Sequence, residues 1–189
     1  MRGLGAFIAY DALSSGITTT IAIFGRNNHW FANFDELLTF TWLLVLFRAW
    51  TDSALARKTY VGLAASGLLW TALGLYASGS LFTFNDVFLT AQSLILGGAA
   101  MFELACLLMR EDMDAPLTAT PRFWVYSGLF LFYMASIPIH ALGNHLLHTL
   151  PRDLVLYPWL VRALFFLLYK LMVAKAFLCP LANSSSSSS

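Results

Sequence analysis

Five ionisable residues lie inside strongly apolar stretches of the sequence: Asp11, Glu36, Glu103, Arg162 and Lys170. A charged side chain at the centre of a membrane costs roughly 2.5–3.5 kcal/mol on insertion scales, so it is kept where it pairs with another group, lines a hydrated cavity or binds a ligand. Asp11 also shares a predicted helix face with Ser15 and Thr18. These positions are the first candidates for chemistry in the chain.

Two uncharged polar residues extend this set in the segment that contains Glu103. Asn85, Gln92 and Glu103 are separated by seven and eleven residues, which are close to whole numbers of helical turns. The spacing therefore predicts one polar seam along a single helix face.

In an antiparallel bundle, the distance of each charged residue from the ends of its helix, here called its depth, predicts which charges lie at the same level. Glu36 and Arg162 fall at a similar distance from one end, and Glu103 and Lys170 fall at a similar distance from the other. Two layers of opposite charge are therefore expected. One interpretation is that the pairs neutralise each other and fix helix register. The other interpretation is that the seam lines a hydrated cavity or binds a ligand or ion. The matching depths favour the two interpretations equally.

Three of the four histidines, His140, His145 and His148, are weak candidates for a metal site. Their spacings of five and three residues straddle Gly143 and Asn144, where a helix is predicted to end. The HxxxH geometry of a helical metal site is therefore not expected. Histidines at the membrane interface, with access to water, are the simpler interpretation, and no metal or other cofactor is predicted.

Sequence signatures of catalysis are missing, which favours a non-enzymatic function. The chain has no Gly-rich phosphate loop, no GxSxG and no HExxH. Cys106 and Cys179 stand alone, without metal-ligand spacing. The formal net charge of +1 provides no basic patch, so no nucleic acid partner is expected.

The chain that carries these polar groups is too apolar for a water-soluble fold. Of its 189 residues, 59% are hydrophobic and 11% are charged, against about 25% charged in soluble domains. About 20 apolar residues cross a bilayer as a helix. We therefore predict an all-α integral membrane bundle of about six antiparallel transmembrane helices, in one domain over residues 1–180. The predicted helices span residues 4–24, 31–50, 59–79, 84–109, 122–143 and 154–178. The serine-rich tail, 181–189, is expected to be disordered or an artefact.

Lysine and arginine are distributed unevenly between the predicted loops. The second and fourth loops hold Arg48, Arg57, Lys58, Arg110 and Arg122. The first, third and fifth loops hold Arg26 and Arg152. The positive-inside rule then predicts that both termini are cytoplasmic, in a bacterial inner membrane.

Several local sequences resemble those of a group of uncharacterised multi-pass membrane proteins common in Bacteroidetes. The resemblance is carried by the runs 25–30, 34–38, 82–85, 122–133 and 176–179, together with Glu103, and would cover nearly the whole chain. Those proteins have about seven helices, which implies that their first helix is absent or truncated here. The resemblance implies a small sensory or accessory membrane component without soluble domains.

Glu36, Asn85 and Glu103 match the polar positions of those proteins, whereas Arg162 and Lys170 do not, which puts the two-layer pairing in doubt. The first functional hypothesis is therefore a sensory protein or an accessory subunit, with the lipid bilayer and either other membrane subunits or a second copy as partners. The alternative is a small transporter or channel that uses the polar seam.

Overall fold

The computed structural model describes residues 2–24, 29–78, 86–109, 116–149 and 151–179. Their regular structure is entirely helical, as predicted. The α-helices are α1 (Arg2–Ile23), α2 (His29–Trp50), α3 (Ala54–Ser78), α4 (Asp86–Leu108), α5 (Pro121–Ala141), α6 (Gly143–Thr149) and α7 (Arg152–Leu178), and a 3-10 turn spans Leu117–Ala119. Asn85 and the tail 181–189 lie outside the described residues.

Most helix boundaries fall within a few residues of the predicted ones, but α3 begins at Ala54 and not at residue 59. The reason is local. The Ser53 side-chain oxygen accepts a hydrogen bond of 3.2 Å from the backbone N–H of Ala56, which satisfies a free donor of the first turn. The two basic residues that suggested a loop, Arg57 and Lys58, therefore lie within the helix.

The segment between Gly143 and Pro151 was predicted to be a break, and this is wrong for most of its length. The backbone N–H of Leu142 bonds to the Pro138 carbonyl at 3.1 Å, and that of Leu146 bonds to the Leu142 carbonyl at 2.8 Å. Helical hydrogen bonding therefore passes through the end of α5 into α6.

The helices pack around α5, which lies against α4 on one side and α7 on the other. A second group forms around α2, which packs on α1 and α3 and also contacts α4. At Gly128 of α5, an added Cβ would lie 3.1 Å from the Tyr169 ring and 3.2 Å from the Met172 Cβ. This glycine therefore allows α5 and α7 to approach closely.

Three of the six long helices are long and apolar enough to cross a membrane: α2 from Trp30 to Trp50, α4 and α5. The other three described long helices do not meet this criterion. α3 carries Arg57 and Lys58, whereas α7 carries Arg162 and Lys170 among other charges. Whether α1, α3 and α7 could also cross a membrane therefore depends on whether their polar side chains face the interior of the bundle.

Candidate ligand-binding cavity

A cavity of about 410 Å³ lies between α1, α2, α5 and α7. Its polar wall comes mainly from α1 and α2. The polar lining residues on these two helices are Asp11, Ser15, Thr18, Thr19, Asp35, Glu36 and Thr39. Asp11, Ser15 and Thr18 are the three residues predicted to share a face of the first helix. The cavity therefore collects polar groups that are far apart in the sequence.

The wall formed by α2 follows a helical repeat. Ala32, Asp35, Glu36, Thr39 and Leu43 line the cavity, and each lies three or four residues from another member of the set, as required for one helix face. The prediction singled out Glu36 alone on this helix. The same periodicity, applied to Asp35 and Thr39, would have found the complete wall.

Glu36 is the centre of a hydrogen-bonded group that joins three helices. Its Oε2 accepts a hydrogen bond of 2.9 Å from Nε2 of Gln92 on α4. Its Oε1 lies 3.5 Å from Nη2 of Arg162 on α7. The Arg162 guanidinium also lies over the Phe132 ring, 5.2 Å from the centroid. The predicted pairing of Glu36 with Arg162 is therefore present, and Gln92 of the polar seam joins it.

Lys170 forms its ion pair with Asp11 of α1. The predicted pairing of Lys170 with Glu103 is wrong. The physical reason is the position of α5, which packs between α4 and α7 and separates the helices that carry these two residues. The Lys170 ammonium also lies 4.6 Å from the centroid of the Phe166 ring, whose face favours a cation.

Glu103 belongs to a different part of the molecule. It is 5% exposed, and its Oε1 accepts a hydrogen bond of 2.7 Å from the Tyr60 hydroxyl of α3. It lines a second, smaller pocket of about 170 Å³ together with Asp52 and Arg122. Glu103 is therefore buried against protein and bonded to a neutral partner instead of the predicted cation.

Asp35 and Tyr10 are site residues that the sequence reasoning missed. The Tyr10 hydroxyl donates a hydrogen bond of 2.5 Å to Oδ1 of Asp35. The Tyr10 ring stacks on Trp42 of α2, with centroids 5.3 Å apart and an interplanar angle of 25°. This stacking holds the hydroxyl against the aspartate. A tyrosine in an apolar helix gives no signal of such a role in the sequence.

An apolar floor closes the cavity towards the centre of the bundle. Phe7, Leu43 and Leu129 line it from three helices, and each is 2% exposed. The cavity shares no lining residue with the second pocket, where Glu103 lies. The predicted seam therefore does not form one continuous polar surface between Gln92 and Glu103.

His140 and His145 do not line the cavity. His140 is buried, with Nδ1 3.0 Å from Ser93 Oγ and 3.2 Å from the Leu89 carbonyl, so its expected exposure to water is wrong. His145 and His148 both lie on α6, and the side chain of His145 is exposed. Within the described part of the chain, no three His, Cys, Asp or Glu residues form a group that could hold a metal ion.

Comparison of the sequence and fold with protein-family models, curated proteins and solved structures gives no match.

Proposed function

We propose that this chain is a multi-pass protein of the bacterial inner membrane in which all six long helices cross the bilayer. Three of them meet the length and apolarity criterion. The outer face of α7 supports a fourth. This face carries four leucines at helical spacing that are 56–65% exposed: Leu160, Leu164, Leu167 and Leu171. A continuous leucine stripe is unfavourable in water and suits contact with hydrocarbon.

The charges of α1 and α7 are compatible with this placement because they face inwards. Asp11 pairs with Lys170, and Arg162 approaches Glu36, so these four groups meet inside the bundle. The opposite side of α1 exposes apolar residues such as Leu13, which is 66% exposed. Polar residues in a transmembrane helix normally face the bundle interior in this way.

Within the membrane, the bundle binds a small polar ligand and acts as a sensory component. The polar cavity carries this proposal. Its volume of about 410 Å³ lies in the range of sites that bind small molecules, and it combines charged groups with aromatic walls. Structural ion pairs need no open space beside them, so a cavity of this size favours a binding role over mere neutralisation.

Short connections between helices constrain how a signal leaves the protein. Such a bundle transmits a change through its helices, either to other membrane subunits or to a second copy of itself. Its role is then sensory or that of an accessory subunit in a larger membrane assembly. Ligand-dependent changes in co-purifying subunits or in self-association would identify the recipient.

The binding proposal is tested by filling the cavity. Ala163 lines it, whereas Ala174, which is also exposed and lies about three turns further along the same helix, does not, so Ala163→Phe and Ala174→Phe are matched variants. Unfolding of the purified protein is followed with a thiol-reactive dye, since Cys179 is buried in the folded state. The ligands are panels of small cationic, anionic, zwitterionic and neutral compounds.

We expect at least one class of compound to raise the unfolding midpoint of the wild type and of Ala174→Phe but not of Ala163→Phe. Equal shifts in all three proteins, or no shift with any class, would contradict a ligand-binding cavity.

A small transporter is the second candidate, favoured by the presence of polar pockets with separate linings. The cavity holds Glu36 and Arg162, and the smaller pocket holds Glu103 and Arg122. Transport would require a continuous polar path to open between them. Uptake of a cavity ligand into proteoliposomes, abolished by Ala163→Phe and retained by Ala174→Phe, would support this alternative over sensing.

A further inference from the structure

The formal charges around the cavity do not balance. Three carboxylates line it: Asp11, Asp35 and Glu36. Lys170 neutralises Asp11, and Arg162 neutralises Glu36. Among the residues that the structure describes, no lysine or arginine forms an ion pair with Asp35. The empty space therefore faces one negative charge that no lysine or arginine of the described residues offsets.

The geometry at Asp35 leaves part of this carboxylate available. Tyr10 donates to Oδ1, so that oxygen and its position are fixed by the stacked pair of Tyr10 and Trp42. No described residue donates a hydrogen bond to the second oxygen, Oδ2, which can accept one from a ligand. A carboxylate held in place on one side and open on the other is preorganised for a charged donor.

The surroundings of Asp35 suit an organic cation better than a bare metal ion. Ser15, Thr18 and Thr39 bring hydroxyl groups to the wall, and Tyr133 and Trp159 bring aromatic rings. Hydroxyl oxygens accept N–H hydrogen bonds, and aromatic faces attract ammonium groups. One free carboxylate oxygen among aromatic rings falls short of the six to eight oxygen ligands that Ca²⁺ takes.

We infer that the cavity binds a small organic ammonium ion through Asp35, an inference that rests on the proposed ligand-binding function. The ammonium donates to Oδ2 of Asp35, and its substituents occupy the aromatic part of the cavity. Such a group has two sources, a free amine or the headgroup of phosphatidylethanolamine, and both share this chemistry.

The test uses the full-length protein in nanodiscs of phosphatidylcholine, which lack a primary ammonium group. The probes are benzylamine, which is protonated at neutral pH, and its analogues benzyl alcohol, neutral, and benzoate, anionic. Titrating the unfolding midpoint gives an apparent Kd for each probe. The proteins are the wild type, Asp35→Asn, Asp35→Glu and, as a control at the other pocket, Asp52→Asn.

We expect benzylamine to stabilise the wild type and the other two probes to do so at least tenfold more weakly. Asp35→Asn should weaken benzylamine binding about tenfold or more, because it removes the charge but keeps the shape. Asp35→Glu restores the charge and should recover part of the affinity, and Asp52→Asn should behave as the wild type. Recovery in Asp35→Glu shows that a loss in Asp35→Asn reflects charge and not misfolding.

A second set of nanodiscs, containing phosphatidylethanolamine, distinguishes the two sources. If the headgroup is the ligand, this lipid should raise the midpoint of the wild type, leave Asp35→Asn unchanged and compete with benzylamine. If the ligand is a free amine, benzylamine should bind equally in both lipids. Either result supports an ammonium site.

Equal stabilisation by all three probes, or unchanged benzylamine binding in Asp35→Asn, would overturn the inference. So would a lack of any response to benzylamine and to phosphatidylethanolamine. The proposed function would survive these results if another class of compound stabilised the wild type but not Ala163→Phe. It would fail if no class did so.

Discussion

Tyr60 of α3 and Glu103 of α4 form a buried hydrogen bond of 2.7 Å between hydroxyl and carboxylate. The contact explains how an acidic side chain is accommodated on α4 without a lysine. It also joins two helices that otherwise contact each other sparsely. The N-terminal part of α3 is therefore attached to α4 partly through this polar contact.

Removing the donor should be more harmful than changing the acceptor. Tyr60→Phe leaves the buried Glu103 without this hydrogen bond and should lower the free energy of unfolding by roughly 1–3 kcal/mol. Glu103→Gln keeps an oxygen that accepts from Tyr60 and should cost less. Thermal unfolding in detergent measures both variants, and a larger loss in Glu103→Gln would show that Tyr60 is not the main partner.

The ion pair between Asp11 and Lys170 links the first helix to the last. Both side chains are only partly exposed, 16% for Asp11 and 28% for Lys170. Asp11→Leu leaves Lys170 without its partner and should destabilise the protein by roughly 1–3 kcal/mol, below the value for a fully buried pair.

Adding Lys170→Leu should recover most of this loss, because the double variant contains no unpaired charge. Lys170→Leu combined with Glu103→Leu serves as the control, since those residues do not pair. A double-mutant cycle in unfolding experiments measures the coupling. Coupling in the control combination, and none between Asp11 and Lys170, would contradict the observed arrangement.

Two glycines of α3 provide a matched test of packing against α2. An added Cβ at Gly67 would overlap the Phe40 ring, whereas one at Gly62 would meet nothing within 4 Å. Gly67→Leu should therefore destabilise the protein by roughly 1–3 kcal/mol through overpacking. Gly62→Leu should be neutral or slightly stabilising, since leucine favours helix. Equal unfolding midpoints for the two variants would argue against the close approach of α3 to Phe40.

The proposed topology places Asp52 on the cytoplasmic side and Thr149 outside, because basic residues cluster near Asp52. After Cys106 and Cys179 are replaced by alanine, a cysteine at each position can be tested in intact cells. Thr149→Cys should react with a membrane-impermeant thiol reagent, and Asp52→Cys should react only after the membrane is opened. The reverse labelling pattern would invert the topology, and labelling of both sites from outside would require an even number of crossings between them.

The positions of the helices along the chain could be predicted because their apolar stretches have the length of a membrane crossing. The depth of a charge follows from its position in its own helix, so the pairing of Glu36 with Arg162 could also be predicted. The helix α6 was missed because glycine and asparagine suggested a break. Its backbone hydrogen bonds instead continue from the end of α5.

The depth of a residue does not determine which neighbouring helix its side chain contacts. The sequence was therefore insufficient to predict all of the ion pairs. Lys170 matches Glu103 in depth, but the packing order of the helices turns it towards Asp11. Asp35 was overlooked for a similar reason, since its importance depends on the empty space beside it. A cavity results from how several helices pack together, and no single segment encodes it.

The apolar floor formed by Phe7, Leu43 and Leu129 also bears on the energy supply of a cell that makes this protein. Protons and other ions leak through a membrane protein along unbroken chains of water and polar groups. These three side chains are tightly packed, so the cavity ends on hydrocarbon where they line it. In the proposed transmembrane arrangement, this packing would oppose the leakage of ions past the charged groups of the cavity, so the protein would not dissipate an electrochemical gradient.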